Sequence, residues 1–175
     1  MVSQRSNKYQ EFLIDKLTSS IENTFSGEVF DTKIVTVNDE DIKSFKRKDW
    51  NFDWKSEFKD NSKQIYKLTT VNNPTIIQGL LSIEDKEDHI FMHLLESAKF
   101  NLGKEKLYLG IPGNLVSYAC KVSFDRGYEG FVAFDSKTAL IEHYQNTLGA
   151  THLGGRRMYI DTIAAAKLVS QYFKT

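Results

Sequence analysis

A glycine-rich stretch in the second half of the chain has the residue types of an anion site. Residues 103–115 read Gly-Lys-Glu-Lys-Leu-Tyr-Leu-Gly-Ile-Pro-Gly-Asn-Leu and stand between a predicted strand and a predicted helix. Glycine permits positive φ and close backbone approach, and the first turn of a helix presents unpaired N–H groups. Lys104 and Lys106 add positive charge. The stretch therefore suits phosphate or pyrophosphate, but a loop that needs glycine only for turning has the same composition.

Other residues that could bind a metal or act as a nucleophile are poorly placed for it. His89 and His93 are four residues apart, and on the predicted strand they would stand about 13 Å apart on one face, too far to share an ion. Cys120 falls among apolar residues of a predicted helix, which is typical of a core position. We therefore expect no metal site and no cysteine nucleophile.

Composition and charge narrow the class of protein. The chain has 175 residues with 23 basic and 23 acidic side chains, so its formal net charge is zero. This length suits one domain, and a neutral chain lacks the basic excess that phosphate-rich partners select, so a nucleic-acid partner is not expected. The single cysteine excludes an internal disulfide, and no apolar run approaches about 20 residues. We expect a cytoplasmic protein without a membrane partner.

The periodicity of apolar residues predicts the elements that must position the glycine-rich stretch. Steps of three and four residues predict an amphipathic helix over residues 8–24, and alternation predicts an antiparallel meander in the middle of the chain. Asn38 and Asp161 are predicted helix caps. The predicted order is helix 8–24, strand 28–38, helix 38–48, strands 52–58, 65–71, 75–84 and 89–97, helix 112–126, strand 130–134, helix 137–148, strand 156–160 and helix 162–173.

These elements predict a mixed α/β fold with an N-terminal helical extension, residues 1–27, followed by one domain, residues 28–175. The core of that domain resembles a known family. Over residues 76–150 the chain resembles the GNAT superfamily of acetyl-CoA-dependent N-acetyltransferases, in the segments 89–98 (HIFMHLLESA), 110–115 (GIPGNL), 130–134 (GFVAF) and 140–149 (LIEHYQNTLG). The resemblance implies a GNAT-like fold, whose central, mostly antiparallel mixed sheet is splayed at the cofactor site and flanked by helices.

The resemblance also implies which residues bind acetyl-CoA. The family's loop reads Arg/Gln-x-x-Gly-x-Gly/Ala and holds pyrophosphate on its backbone amides. Here Gly110 matches the first glycine, whereas Leu107 and Pro112 depart from the pattern. Ser136 stands where the family has a cofactor-contacting Asn. The implied contacts are Glu96, Ser97 and Ala98 at the end of the splayed strand, then Lys104, Lys106, Gly110, Gly113, Asn114, Leu115 and Ser136.

Proton transfer is assigned by the same resemblance. Tyr144 lies where the family's tyrosine donates a proton to the departing thiolate; its spacing of five residues to Gly149 is one longer than usual, and core packing is the alternative. The attacking amine must also lose a proton, and Glu96 and Glu84 are candidate bases. An ordinary solvated carboxylate is the alternative for both.

The acceptor is expected beside an aromatic-rich stretch. Trp50, Phe52, Trp54 and Phe58 fall where the family builds its variable acceptor wall, although aromatic side chains are also common in α/β cores. Acidic and basic residues are nearly balanced around them. We therefore expect an amine carried on a partly apolar body rather than a polyamine.

The leading interpretation is an acyltransferase that passes acetyl from acetyl-CoA directly to a primary amine in a ternary complex, without a metal. Leu107 and Pro112 favour an alternative, a catalytically weak or inactive GNAT-like protein that binds CoA or a partner. A third hypothesis is a toxin-like acetyltransferase acting on charged tRNA, against which the zero net charge counts. A homodimer is left open.

Overall fold

The computed structural model describes residues 9–16 and 20–173, and within these ranges the chain forms ten strands and five α-helices. The strands are β1 (Ile21–Asn23), β2 (Val29–Phe30), β3 (Thr32–Thr36), β4 (Lys63–Thr70), β5 (Gly79–Asp85), β6 (Ile90–Ser97), β7 (Tyr108–Leu109), β8 (Val132–Asp135), β9 (Thr151–Gly154) and β10 (Arg157–Ile160). The helices are α1 (Asp39–Ser44), α2 (Trp54–Lys59), α3 (Ile111–Asp125), α4 (Ile141–Leu148) and α5 (Thr162–Tyr172).

The strands form a large sheet and a small one within the described residues. The large sheet has the order β3-β4-β5-β6-β8-β10-β9, and the pairing of β6 with β8 is its one parallel pairing. The small sheet has the order β2-β1-β7 and joins the chain just after residue 20 to the stretch that precedes α3. The mixed α/β class and the mostly antiparallel sheet are confirmed.

Two clusters of buried apolar side chains hold the helices on the large sheet. The larger cluster joins Leu81 of β5 to residues of α3, α4 and α5, and the smaller joins Leu80 to Trp54 of α2. Because Leu80 and Leu81 are neighbours on one strand, their side chains point to opposite faces. The clusters therefore lie on opposite faces of the sheet, with the glycine-capped helix α3 on the face of the larger one.

The helix starts expected at Asn38 and Asp161 are confirmed. The Asn38 side chain accepts from the Asp41 amide at 2.8 Å while the Asp41 carboxylate accepts from the Asn38 amide at 3.0 Å, a reciprocal capping box. The Asp161 carboxylate accepts from the Ala164 amide at 2.9 Å at the start of α5. Both caps satisfy helix-start donors that no backbone carbonyl can reach.

The helix predicted over residues 8–24 is wrong in the described part of that range. Residues 9–16 are not helical, and their contacts are described below. Ile21–Asn23 is strand β1. Residues 8 and 17–19 of the predicted helix lie outside the described residues. The apolar period does not mark a buried face, since Tyr9 and Leu13 are exposed. The backbone of Gln10 bonds to the edge of β8, and the Ile14 amide donates to the His143 side chain.

The strand predicted over residues 52–58 is also wrong, because Trp54–Lys59 is helix α2. The Asp53 carboxylate accepts from the Ser56 amide at 3.1 Å and caps it. Trp54 and Phe58 are four residues apart, a spacing that suits a helix face as well as a strand face. The Asp53 cap therefore favours the helix. Strand β9 was not predicted; all four of its residues are exposed, so it carries no apolar alternation.

Candidate functional site

The parallel strands β6 and β8 pair at one end and then separate. Their register joins Ile90 to Val132 and Phe91 to Ala133. From Met92 onward β6 continues beside β5, and β8 continues beside β10 as far as Asp135. The facing edges of β6 and β8 therefore diverge into a groove that runs toward the start of α3.

The groove is filled by the chain's own residues 9–16, which we call the N-terminal segment. The Gln10 amide donates to the Asp135 carbonyl at 2.7 Å, and the Gln10 carbonyl accepts from the Lys137 amide at 3.0 Å. The Gln10 side chain donates across the groove to the carbonyls of His93, at 2.8 Å, and Met92, at 3.3 Å. One buried glutamine thus bridges both separated strands.

Tyr144, the predicted proton donor, binds this segment. Its hydroxyl donates to the Phe12 carbonyl at 2.6 Å, and its ring packs against Phe12 and Phe134. The side chain is fully buried, and burial raises the pKa of the phenol above its usual value of 10.0. His143 on the same helix accepts from the Ile14 amide through Nε2 at 3.0 Å. Helix α4 therefore presents two polar side chains to the N-terminal segment.

A carboxylate of the chain itself lies at the stretch that was predicted to hold an anion. Gly110 caps α3 in the left-handed region, with φ of 101°, which glycine adopts readily. Its amide donates to Oδ1 of Asp15 at 2.9 Å, and the Lys106 ammonium lies 3.0 Å from Oδ2 of the same residue. Asp15 thus takes the amide and the lysine that the sequence assigned to phosphate.

Gly113 is required at the start of α3 for close packing. A Cβ built on Gly113 would lie 2.1 Å from the Tyr172 hydroxyl and 2.9 Å from the Lys16 carbonyl. That hydroxyl donates to the same Lys16 carbonyl, and burial raises the pKa of Tyr172. The backbone of the N-terminal segment and a side chain of α5 therefore approach this helix turn where a phosphate was expected.

Two further predicted cofactor residues bond within the protein. The Asn114 side chain is buried and donates to the Ser20 carbonyl at 3.0 Å and to the Gly110 carbonyl at 2.7 Å. Ser136 is buried beside Gln10, and its amide donates to the Arg156 carbonyl at 2.8 Å. Ser136 therefore borders the N-terminal segment, whereas Asn114 bonds to Ser20 and to the helix cap Gly110.

The remaining predicted contacts lie at different depths. Leu115 is a fully buried core residue, whereas Lys104 is exposed. At the end of β6, Ser97 pairs with Gly79 and the Ala98 amide donates to the Gln78 carbonyl, so the β5 side of this strand is satisfied. The divergence from β8 begins at Met92, earlier than the strand end that the resemblance implied.

Glu96, a candidate base, is buried and holds the loop before α2. Its carboxylate accepts from the Asn51 amide at 2.6 Å, the Phe52 amide at 3.1 Å and the Trp54 indole N–H at 2.8 Å. Burial raises the pKa of this carboxyl, and the three donors oppose that rise. Glu96 therefore has a structural role whatever its chemistry.

Glu84, the other candidate base, lies elsewhere. It accepts from Lys86 at 2.9 Å and pairs with His93 at 2.8 Å, and these hydrogen bonds lower the pKa of its carboxyl. A lowered pKa makes a weaker base. Glu84 does not border the cavity beside the N-terminal segment, so the two candidates are not brought together.

A cavity of about 290 Å³ lies between the N-terminal segment and the residues around the end of β6. Its lining includes Phe12, Asp15, Asn51, Phe52, Glu96, Lys106 and Ile111. Trp50 and Trp54 were expected to offer flat apolar surface to an acceptor, and this is wrong. Both indoles are buried in the smaller core cluster: the Trp54 indole N–H donates to Glu96, and the Trp50 ring packs against the Trp54 ring.

Sequence reasoning missed Gln10, Phe12, Asp15 and Lys16 as groove residues. They were read as parts of an amphipathic helix, and no motif marks them. Within residues 9–16 and 20–173, the structure has no group of three or more potential metal-ligating side chains. No helix in those ranges is both long and apolar enough to cross a membrane.

As the structure stands, the groove does not fit acetyl-CoA. Gln10 occupies the gap between β6 and β8, Asp15 takes the Gly110 amide and Lys106, and Lys16 and Tyr172 cover Gly113. Two occupants cannot share these groups. Of the contacts expected for the cofactor, those of Gly110 and Lys106 are thus made by Asp15 of the N-terminal segment.

No protein-family model and no curated protein matches the sequence. Solved structures do match. The ribosomal-protein-S18-alanine N-acetyltransferase of Escherichia coli aligns with a TM-score of 0.52 and 14% identity, over 74% of this chain and 90% of that one. The spermidine N-acetyltransferase of Vibrio cholerae in complex with CoA and spermine aligns with a TM-score of 0.53 and 13% identity, over 77% and 98%. The KacTA–DNA complex aligns with a TM-score of 0.52 and 13% identity, over 79% and 98%. The chain has the GNAT fold.

Proposed function

We propose that this chain is an acetyl-CoA-dependent N-acetyltransferase that transfers acetyl to a primary amine by direct attack in a ternary complex. The observation that supports this best is the divergence of β6 from β8 beside a glycine-capped helix start. A gap between parallel strands offers unpaired backbone groups to an extended amide arm, and a helix start offers donors to an anion. The aligned N-acetyltransferases, one of them in complex with CoA, support the same reaction class.

Two side chains are proposed to move protons. Tyr144 is the proposed donor, through the hydroxyl that now bonds to the Phe12 carbonyl. Glu96 is the proposed base, because it lines the cavity and because burial raises its pKa, which makes a carboxylate a better proton acceptor at neutral pH. The acceptor is proposed to reach the cavity past Asn51 and Phe52. Phe52, the member of the expected aromatic wall that lines the cavity, supports an acceptor amine carried on a partly apolar body.

The experiment is an acetyl-transfer assay on the full chain, with release of the CoA thiol as the readout. The amine panel contains short peptides with free N-termini, arylalkylamines and spermidine. We expect amine-dependent thiol release with at least one member. Absence of release with every amine, both in the wild type and in the groove variant Asp15→Asn, contradicts the proposed activity.

A second candidate is a GNAT-fold protein without turnover, for which the N-terminal segment replaces the cofactor permanently. The specific observation in its favour is the Asp15 carboxylate, which neutralises Lys106 and takes the Gly110 amide. Calorimetric titration with acetyl-CoA separates the two candidates, because a permanently filled groove gives no binding heat.

A further inference from the structure

Residues 9–16 overlap the proposed cofactor site at three separate points. Gln10 lies between the diverging strands, Asp15 lies at the cap of α3, and Lys16 lies against Gly113. Two of these points match parts of an extended, anionic ligand: the Gln10 backbone matches an amide arm and the Asp15 carboxylate matches a negative charge. At the third point the Lys16 carbonyl, which accepts from the Tyr172 hydroxyl, lies close to Gly113. A segment that only covered the groove would need none of these matched contacts.

We infer that the chain's own N-terminal segment is the resident occupant of this groove and that acetyl-CoA binds by displacing it. The inference rests on the proposed function for the identity of the competitor. The docking itself is independent of the proposed function, because it follows from hydrogen bonds within the chain.

The docking combines polar contacts with the burial of Ile14 in the larger core cluster, against which Phe12 also packs. Gln10 bonds to the strand edge through its backbone, and further bonds run through the side chains of Tyr144, His143, Tyr172 and Asp15. Further contacts come from Arg156, whose guanidinium lies 4.0 Å from the Tyr9 ring centroid, and from the Lys137–Glu11 ion pair. Leu13 is 56% exposed, so part of the segment's apolar surface is not committed to the core.

Tethering makes even weak docking effective. A segment joined to its own site has an effective concentration in the millimolar range or above. The apparent dissociation constant of a competitor then equals its intrinsic value divided by the fraction of molecules with an open groove. A substitution that loosens the segment should therefore tighten acetyl-CoA binding, although it removes a contact and adds none.

The test is calorimetric titration of the full chain with acetyl-CoA in four forms. These are the wild type, Asp15→Asn, Gln10→Ala and the control Asp125→Asn. Asp125 also pairs with a lysine, Lys121 at 2.9 Å, but it stands at the far end of α3, about 20 Å from Gly110. Each groove variant is expected to bind acetyl-CoA at least about tenfold more tightly than the wild type, and the control to bind as the wild type does.

The calorimetric titration distinguishes failure of the displacement from failure of the proposed function. Equal affinities in all four forms overturn the displacement and leave the proposed function standing. No binding in any form contradicts the proposed function as well.

Hydrogen exchange on the wild type measures the docking independently of acetyl-CoA. The Gln10 and Ile14 amides should be protected, and loss of that protection should accompany acetyl-CoA binding. Unprotected amides at both positions in the free protein overturn the inference, even if a groove variant fails to fold.

Discussion

The amide of Gln10 donates to the carbonyl of Asp135, and this 2.7 Å bond adds the N-terminal segment to the edge of β8 that β6 has left. A strand edge with unpaired carbonyls and amides attracts other backbone. In this chain the partner comes from more than 120 residues away in sequence. The Asp135 carbonyl and the Lys137 amide are therefore satisfied without a ligand.

The bridge made by Gln10 should contribute to stability. Gln10→Ala removes the side-chain bonds to the Met92 and His93 carbonyls and should lower the free energy of unfolding by about 1–2 kcal/mol. Urea denaturation measures the loss. Gln145→Ala is the control, because Gln145 is exposed on α4 and alanine is a good helix former. Equal stability of the two variants would remove Gln10 as an anchor.

Glu96 should contribute to the pH dependence of the free energy of unfolding. Burial raises its pKa in the folded state above the ordinary value of 4.5, so the folded chain binds its proton more tightly than the unfolded chain. The Glu96 contribution should therefore favour folding at low pH and weaken as pH rises from 4.5 through the raised pKa.

The measurement is the difference in unfolding free energy between the wild type and Glu96→Gln across pH 4–8. Glu84 and Asp85 have lowered pKa values and give the opposite slope, but they are common to both proteins and cancel. Glu96→Gln should also be less stable by about 1–3 kcal/mol near neutral pH, because the amide NH₂ faces one of three donors. A pH-independent difference would contradict the raised pKa. Glu40→Gln, exposed on α1, is the control.

Tyr144→Phe separates packing from proton transfer. The change removes the bond to the Phe12 carbonyl and should cost about 1 kcal/mol of stability. If Tyr144 is the proton donor, kcat should fall by about a hundredfold while the affinity for acetyl-CoA does not fall. Tyr128→Phe, which loses a hydroxyl bond to Asp85 away from the groove, is the matched control. Full turnover in a stable Tyr144→Phe protein would assign the phenol to packing alone.

Gly113→Ala tests the packing of the helix start. The added methyl would overlap the Tyr172 hydroxyl and crowd the Lys16 carbonyl, so stability should fall by about 2 kcal/mol or more. Gly127→Ala meets no atom within 4 Å and carries only the strain of its positive φ, about 1 kcal/mol. Thermal unfolding of both variants gives the comparison. A Gly113→Ala protein as stable as Gly127→Ala would mean that Tyr172 and Lys16 do not lie against α3.

Local signals in the sequence predicted most of the fold. Features that depend only on neighbouring residues can be predicted without a structure. These are the caps at Asn38 and Asp161, the glycine at the start of α3 and the alternation along β4, β5 and β6. The strand predicted over residues 52–58 was wrong because its apolar spacing suits both structures.

The N-terminal segment could not be predicted in this way. Its conformation depends on partners 80 to 160 residues away, such as Met92 and Tyr172, which no local pattern reveals. Of the residues expected at the candidate site, Gly110, Gly113 and Tyr144 contact the N-terminal segment. The occupant of that site, and the burial of Trp54 against Glu96, required the structure.

The crystal structure of the full chain grown with saturating acetyl-CoA is the most direct test. The account predicts cofactor density between β6 and β8 with its phosphates at Gly110, and the bonds from Gln10 to Asp135 and from Asp15 to Gly110 broken. Density for residues 9–16 still seated in the groove, with acetyl-CoA bound elsewhere or not at all, would contradict it.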